Sequence, residues 1–401
     1  MTYQEALDWL YGTQLFGIKL GLEPTRRLVT SLDAWPGDQK ILHVAGTNGK
    51  GSVCVIAESL ARQAGYRTGL FTSPHLIRFN ERIKIDGQDV NNEEIAGGLS
   101  RIRRVVETWE THPTFFEITL ALSLLLFQQH GCEVLVMETG MGGRLDATNI
   151  LFPTVSVITR IDIDHARWLG DTLAQIAGEK AGIIKPGIPV VTLPQDPAVL
   201  AVLEKSAGDQ QAPFHLLTKP HPHIPPVFTG AHQHWNTAAA LAAVRLAGIV
   251  ITPKICRQAF DAVRWPGRFQ EIRPGVFLDG AHNPAAAEAL VETWRLRFGE
   301  IKPNIIIGVL ADKEIEKILV ALAPIARSWI AVSPRSARSL STDLLASRIQ
   351  ESSPSLVQVS HSFAEAMEKV VPPVLVCGSL FLVGEALAYY ENQPAIRLSN
   401  Q

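Results

Sequence analysis

Between about residues 40 and 195, short apolar runs alternate with longer stretches whose apolar positions recur at helical spacing. The runs in KILHVAG, RTGLFTSP, EVLVMETG, PTVSVITRID and IPVVTLP read as strands, and the segments between them as helices. That rhythm predicts a mainly parallel sheet covered by helices. A Pro- and His-rich piece, TKPHPHIPPVFTG at 218–230, interrupts it, and the helical HWNTAAALAAVRLAG follows; the interruption reads as an excursion of the first domain. After RWPGRFQ the pattern restarts with GVFLDGAHNPAAAEALVETW, NIIIGVLADKEIEKILVALAP, SWIAVSP and PVLVCGSLFLVGEAL. The chain is therefore expected to form two α/β domains, residues 1–267 and a smaller one at 268–401, with no internal repeat.

Composition narrows the class of partner. A length of 401 residues with 46% hydrophobic residues is ample for two cores. The 37 basic and 39 acidic residues are spread along the chain, so no basic stripe or acidic tail points to nucleic acid or a membrane. Cys54, Cys132, Cys256 and Cys377 stand far apart, without the paired spacing of zinc or dithiol sites, which fits a reducing cytosol. The start, MTYQEALDWLYG, lacks the basic and apolar regions of a signal peptide, and the greasiest stretch, FFEITLALSLLLF, is short and broken by Glu117, Thr119 and Ser123. A soluble cytoplasmic protein is expected.

The stretch KILHVAGTNGKGSVCVIAESLARQAG, residues 40–65, carries the clearest chemistry. KILHVAG supplies a strand, and Val53, Ile56, Ala57, Leu60 and Ala61 fall at helical spacing, with Gly65 as the stop. At such a strand-to-helix turn Gly46, Gly49 and Gly51 let backbone N–H groups converge on phosphate, Lys50 adds a cation, and Ser52 can face Mg²⁺. The spelling departs from the usual phosphate loop twice: Val44 occupies the first glycine position, and Gly51 separates Lys50 from Ser52. ATP or a related nucleotide is the expected ligand.

Other candidates lie at strand ends, where sheets of this class collect their ligands. VLVM runs into Glu138, which could hold Mg²⁺ or stand as a solvated loop acid; TGMGGRLDATN follows, with Arg144 and Asp146 able to meet a substrate. VSVITR leads to Asp162, Asp164 and His165, the last a possible metal ligand or a hydrogen-bonded core residue. TSPH places Ser73 and His75 after the second strand, where a hydroxyl can ligate Mg²⁺ or cap a helix. In TLAQIAGEKAGIIKPG the apolar positions 173, 176, 177, 183 and 184 define a buried stripe, and Lys180 falls on it, seven residues after Leu173 and four after Ile176. Burial favours a neutral amine, and a neutral amine can add CO₂ to give a carbamate that ligates Mg²⁺; the alternative is a lysine that snorkels or pairs with an acid. At the domain junction, WPGRFQ offers Arg268 as a phosphate contact or a linker salt bridge, and VFLDGAHNP delivers Asp279 and His282.

Taken in order, HVAGTNGKGS, LFTSPHLIRFNERIKIDG, METGMGGRLDATN, DHARWLGDTLAQIAGEKAGIIKPG, WPGRFQ and DGAHNP closely resemble the folylpolyglutamate synthase and dihydrofolate synthase family, part of the wider group of Mur-type ATP-dependent amide ligases. The resemblance runs from about residue 41 to 284, with a weaker echo in CGSLFLVGEAL. It implies a P-loop ATPase domain with a mainly parallel sheet, followed by a smaller Rossmann-like domain, with ATP between them. It also implies that Asn48, Gly49, Lys50, Gly51 and Ser52 hold phosphates, and that Asn236, Arg268 and Asp279 contact ATP. By the same resemblance Ser73, Glu138 and His165 bind two Mg²⁺ ions, completed by a carbamoylated Lys180, with Lys50, Lys180 and His165 at the chemistry. Leu145, Asp146 and Ala147 match a pterin-side loop. Two departures stand out: Arg160 and Asp162 occupy positions expected to be small or hydroxyl-bearing, and SPRSARSL fits the family's arginine-bearing segment only loosely, leaving Arg335 and Arg338 as glutamate contacts.

The implied reaction is ligation of L-glutamate to dihydropteroate, to folates, or to both, through an acyl phosphate, by a monomer without nucleic-acid or membrane partners. Polyglutamylation alone and a peptidoglycan-precursor ligase are the near alternatives. A nucleotide-binding module without catalysis is the alternative of another class.

Overall fold

The computed structural model describes residues 1–16 and 21–392, so the end of the second expected domain, 393–401, lies outside the described residues. Two sheets organise the chain. The first contains β1 (Lys40–Ala45), β2 (Thr68–Phe71), β3 (Ile83–Ile85), β4 (Gln88–Asp89), β5 (Val134–Glu138), β6 (Val155–Ile158), β7 (Val190–Thr192) and β8 (Phe214–Leu216). Their order is β4-β3-β2-β5-β1-β6-β7-β8, parallel except for the antiparallel β2-β3-β4 edge. After β1 the chain runs out to β2, returns through β5, then crosses to β6 on the other side of β1. Ligands of such sheets gather at this reversal, beyond the strands' carboxyl ends.

The central strands are apolar throughout because helices cover both faces. Side chains of β5 alternate between two cores: Val134 and Val136 pack with Leu42, Val44, Ile56, Leu60 and Val244, whereas Leu135 and Met137 pack with Ile41, Leu125 and Phe127. The helix Phe115–Gln129 is buried nearly all round, and its polar residues are satisfied locally. Thr114 and Glu117 cap it reciprocally, and Thr119 and Ser123 donate to the carbonyls of Phe115 and Leu120. No helix among the described residues is long and apolar enough to cross a membrane. Beyond the Pro- and His-rich segment, the helix Ala231–Leu246 returns to pack on the helix Lys50–Gln63.

The second sheet holds β9 (Gln270–Arg273), β10 (Val276–Leu278), β11 (Asn304–Ile307), β12 (Ser328–Val332), β13 (Leu356–Ser360) and β14 (Val374–Cys377). Its order is β13-β12-β11-β14-β10-β9, parallel except for β9. The apolar rhythm of the sequence marks the buried strands β10, β11, β12 and β14. It does not mark β3, β4, β9 and β13, which lie at or beside sheet edges, carry polar residues and are partly exposed. The stripe around Lys180 is also interrupted: the helix Leu173–Lys180 ends at the lysine, and Ile183 closes a short 3-10 turn.

Close packing fixes β2, which leads to Ser73. A Cβ on Gly69 would lie 2.6 Å from Phe127 Cδ1. The substitution Gly69→Ala is therefore expected to destabilise the protein by about 1–3 kcal/mol through overpacking. A urea denaturation midpoint equal to that of the unsubstituted protein would contradict this.

Candidate active site

One cavity of about 1150 Å³ opens at the carboxyl ends of both sheets, and most of the candidate residues meet there. β1 delivers the turn at residues 46–49, and the helix Lys50–Gln63 starts directly after it, with Gly49 in the left-handed region at φ 92°. The helix's first N–H groups have no partner within the helix and can meet an anion. A Cβ on Gly49 would lie 2.5 Å from Asn236 Oδ1, which places Asn236 directly over the turn. Gly51 has a further reason to be glycine: a Cβ there would lie 2.5 Å from Trp265 Cζ2. The extra glycine between Lys50 and Ser52 thus lets an indole pack on the helix's first turn. Ser52 is buried and lines the cavity.

Two lysines converge on one carbonyl. Lys50 Nζ donates to Gly46 O at 3.1 Å and to Thr47 O at 3.3 Å, and Lys180 Nζ donates to Gly46 O at 2.9 Å. Lys180 is only 4% exposed. Burial, then the neighbouring Lys50 charge, brings its amine down to about 7, so a large neutral fraction exists near neutral pH.

The metal-donor candidates fall on two walls. Glu138, at the end of β5, is 4% exposed and its Oε2 accepts from Ser73 N–H at 3.0 Å. Burial raises its carboxyl, while Lys50 opposes that shift. His165 begins a short helix with φ 53°, an uncommon conformation outside glycine. Burial holds its imidazole down to about 4, so it is neutral at pH 7, the form that ligates metal. Among the described residues no three His, Cys, Asp or Glu side chains gather into a metal-holding group. The hydroxyl, carboxylate and neutral imidazole suit a hard cation whose shell is completed by phosphate oxygens.

The second sheet closes the cavity. Asp279, following β10, accepts from Phe269 N–H and Ala281 N–H, both at 2.8 Å. Burial raises its carboxyl, opposed by Arg268, which lines the same wall. His282 Nδ1 donates to Gly280 O at 2.7 Å, leaving Nε2 toward Asp164 Oδ2 at 3.7 Å.

Leu145, Asp146 and Ala147 all line the cavity, Leu145 being 39% exposed. The Asp146 carboxylate is occupied by its own loop: it accepts from Met141 N–H, Thr148 N–H and the Thr148 hydroxyl. His43 Nε2 lies 2.8 Å from that hydroxyl, tying the loop to β1. Arg144 turns away, donating to Gly178 O and pairing with Glu179. His75 is buried, accepting from Arg82 Nε at 2.8 Å, and does not line the cavity.

The first sequence departure is internally compensated, because Arg160 and Asp162 pair with each other. Arg160 Nε lies 3.1 Å from Asp162 Oδ1, while Asp162 Oδ2 accepts from Asn48 Nδ2 at 2.9 Å. Of the two arginines in SPRSARSL, Arg338 lines the cavity and pairs with Asp312, whereas the Arg335 backbone N–H binds Glu385. Thr114, Phe116, Trp168 and Lys313 also line the cavity, and nothing in their sequence context marks them. Thr114 and Phe116 sat in what reads only as a core helix, and Lys313 in what reads as a loop before an amphipathic helix.

The chain matches the Mur ligase middle domain over residues 44–215 and the Mur ligase, glutamate ligase domain over 267–383. It is 35% identical over 360 residues to a dihydrofolate synthase/folylpolyglutamate synthase of Bacillus subtilis, covering 81% of this chain and 84% of the relative. The structure of Escherichia coli FolC in complex with DHPP and ADP superposes with a TM-score of 0.86 at 28% identity, covering 96% of this chain and 98% of that one. A Yersinia pestis bifunctional folylpolyglutamate synthase/dihydrofolate synthase, complexed with AMPPNP and Mn ion, gives 0.85 at 30% identity and 98% coverage of both chains. With its two sheets meeting at one lysine-bearing cavity, this chain belongs to the dihydrofolate synthase/folylpolyglutamate synthase family.

Proposed function

We propose that the protein uses ATP to ligate L-glutamate to dihydropteroate and to reduced folates. The observation that carries this is a single cavity bounded by a phosphate turn with Lys50, by the Leu145–Ala147 loop, and by Arg268 and Asp279 from the second sheet. The relatives solved with ADP and DHPP, and with AMPPNP and Mn, support the same ligands here.

In this reading the turn's N–H groups and Lys50 hold the ATP phosphates, with Asn236 above the turn and Arg268 and Asp279 facing it from the second sheet. The loop Leu145–Ala147 seats the pterin. The pterin-side carboxylate attacks the γ-phosphorus, its oxygen bonds to phosphorus, and ADP leaves. The glutamate amine then attacks the acyl carbon, loses a proton, and expels phosphate to leave an amide. Lys50 and the backbone donors stabilise charge that builds on the transferring group, and closure of the second sheet's loops over the cavity would keep water from the acyl phosphate. Arg338, which lines the cavity beside Asp312, would contact the glutamate carboxylate.

Ser73 and Glu138 on one wall, with His165 and a carbamoylated Lys180 on the other, would hold two Mg²⁺ ions. When bound, Mg²⁺ supplies neutralising charge beside the phosphates. Lys180 adds CO₂ through its neutral amine, forming an N–C bond and releasing one proton. All proposed groups come from one chain, so a monomer suffices.

Mass spectrometry of products from MgATP, glutamate, dihydropteroate and tetrahydrofolate tests the activity. Dihydrofolate together with glutamate-extended tetrahydrofolate is expected. Extension alone restricts the enzyme to polyglutamylation, and intact ATP with neither product rules out the ligase.

Lys180→Ala is expected to fold and to lose ligation about a hundredfold or more, as a metal donor and not a packing group is removed. Supplied with ¹³C-bicarbonate, the unsubstituted protein should show a carbamate carbon resonance absent from the variant. Because the amine titrates near 7, only roughly a tenth is neutral at pH 6, so the signal should grow from pH 6 to 8. No such resonance, or normal turnover in Lys180→Ala, refutes the carbamate.

A further inference from the structure

Beside the cavity, a buried ion pair joins the two sheets. Lys313 Nζ lies 2.5 Å from Asp164 Oδ1, and the two side chains are 6% and 8% exposed. Asp164 sits in the loop after β6 and Lys313 in the loop after β11, so the pair spans the two carboxyl edges that face each other. The contact continues through amides. Asn283 Nδ2 donates to Asn48 Oδ1 at 3.1 Å and to Asp164 Oδ2 at 3.4 Å, and Asn48 Nδ2 donates back to Asn283 Oδ1 at 3.3 Å.

Each member is held from behind. Asn283 Oδ1 also accepts from Ala286 N–H, capping the helix Pro284–Phe298, which fixes the amide's orientation. Asn48 belongs to the phosphate turn, and its N–H donates to Arg160 O. The Lys313 loop is fastened by Asp312 to Arg338 Nη2 at 2.7 Å and by Ala311 N–H to Arg338 O at 2.8 Å. On another side of the interface, Leu76, from the loop after β2, packs into the second sheet's core with Val276, Leu278 and Val383. The two units are thus joined by an apolar contact and a polar one.

Burying two charges is a poor way to gain stability, since an apolar pair of similar volume serves as well or better. What the charged pair provides is one defined registry. We propose that Lys313 is a positioning residue of the ligase: its pair with Asp164, continued by the Asn283–Asn48 amides, latches the second sheet's loops to the phosphate turn. This inference rests on the ligase reading above. The latch sets the distance between Arg268 and Asp279 on one side and the turn on the other, and a nucleotide on the turn bears on the same amides that hold the units together.

The test compares Lys313→Met and Lys313→Arg with the unsubstituted full chain by small-angle X-ray scattering, ligand-free and with MgADP, and by steady-state kinetics. Lys313→Met is expected to raise the radius of gyration of the ligand-free protein and to lower kcat about tenfold or more. KM for glutamate should change by less than about threefold. Lys313→Arg, which keeps the charge, should restore the compact profile and about a third or more of kcat. If Lys313→Met fails to fold by circular dichroism, Lys313→Gln takes its place. An unchanged scattering profile overturns the latch, and a raised KM for glutamate with that profile assigns Lys313 to substrate contact instead. Scattering does not depend on turnover, so absence of ligation in the unsubstituted chain counts against the ligase reading alone.

Discussion

The carbonyl of Gly46 accepts hydrogen bonds from two lysines, and the character of the cavity follows from that meeting. Lys50 and Lys180 bring two amines to one oxygen at the end of β1. Two full positive charges so close, one of them buried, repel, and the repulsion adds to burial in driving Lys180 toward its neutral form. The turn keeps a cation and helix N–H groups that have no partner inside their own helix, which is the environment phosphates require. Glu138 faces the same space with a carboxyl raised by burial, so the wall is arranged for charge that arrives with ligands.

That meeting depends on the order of the sheet. β1 lies where the connection reverses, with β5 and β6 on its two sides, so that Gly46, Glu138 and the His165 loop emerge together. The second sheet contributes Arg268 and Asp279 from the segment around β10, and the Asn283–Asn48 and Lys313–Asp164 contacts join its loops to the first. Neither sheet alone builds the cavity.

The sequence was most informative where a residue's chemistry conflicted with its pattern. A lysine on an apolar stripe pointed to Lys180, although the helix ends at that residue and does not continue through Ile184. A glycine-rich strand-to-helix turn pointed to residues 46–52, but the packing of Trp265 on Gly51 depends on a contact with a residue over two hundred positions away. The buried strands were legible as apolar runs. β9 and β13 were not, because edge strands alternate weakly and carry Gln, Glu and Arg. Lys313, Asn283 and the Thr114–Glu117 cap look like ordinary loop and cap residues; Thr114, Glu117 and Lys313 line the cavity, and the Asn283–Asn48 and Lys313–Asp164 contacts exist only once the two sheets face each other.

The most direct measurement follows oxygen. Dihydropteroate labelled with ¹⁸O in its carboxylate, incubated with the protein, MgATP and glutamate, should release phosphate carrying one ¹⁸O from each molecule ligated, because the carboxylate oxygen that attacks phosphorus departs with it. Product formed with no label in the phosphate would contradict an acyl phosphate, and with it the proposed use of the phosphate turn and its two lysines.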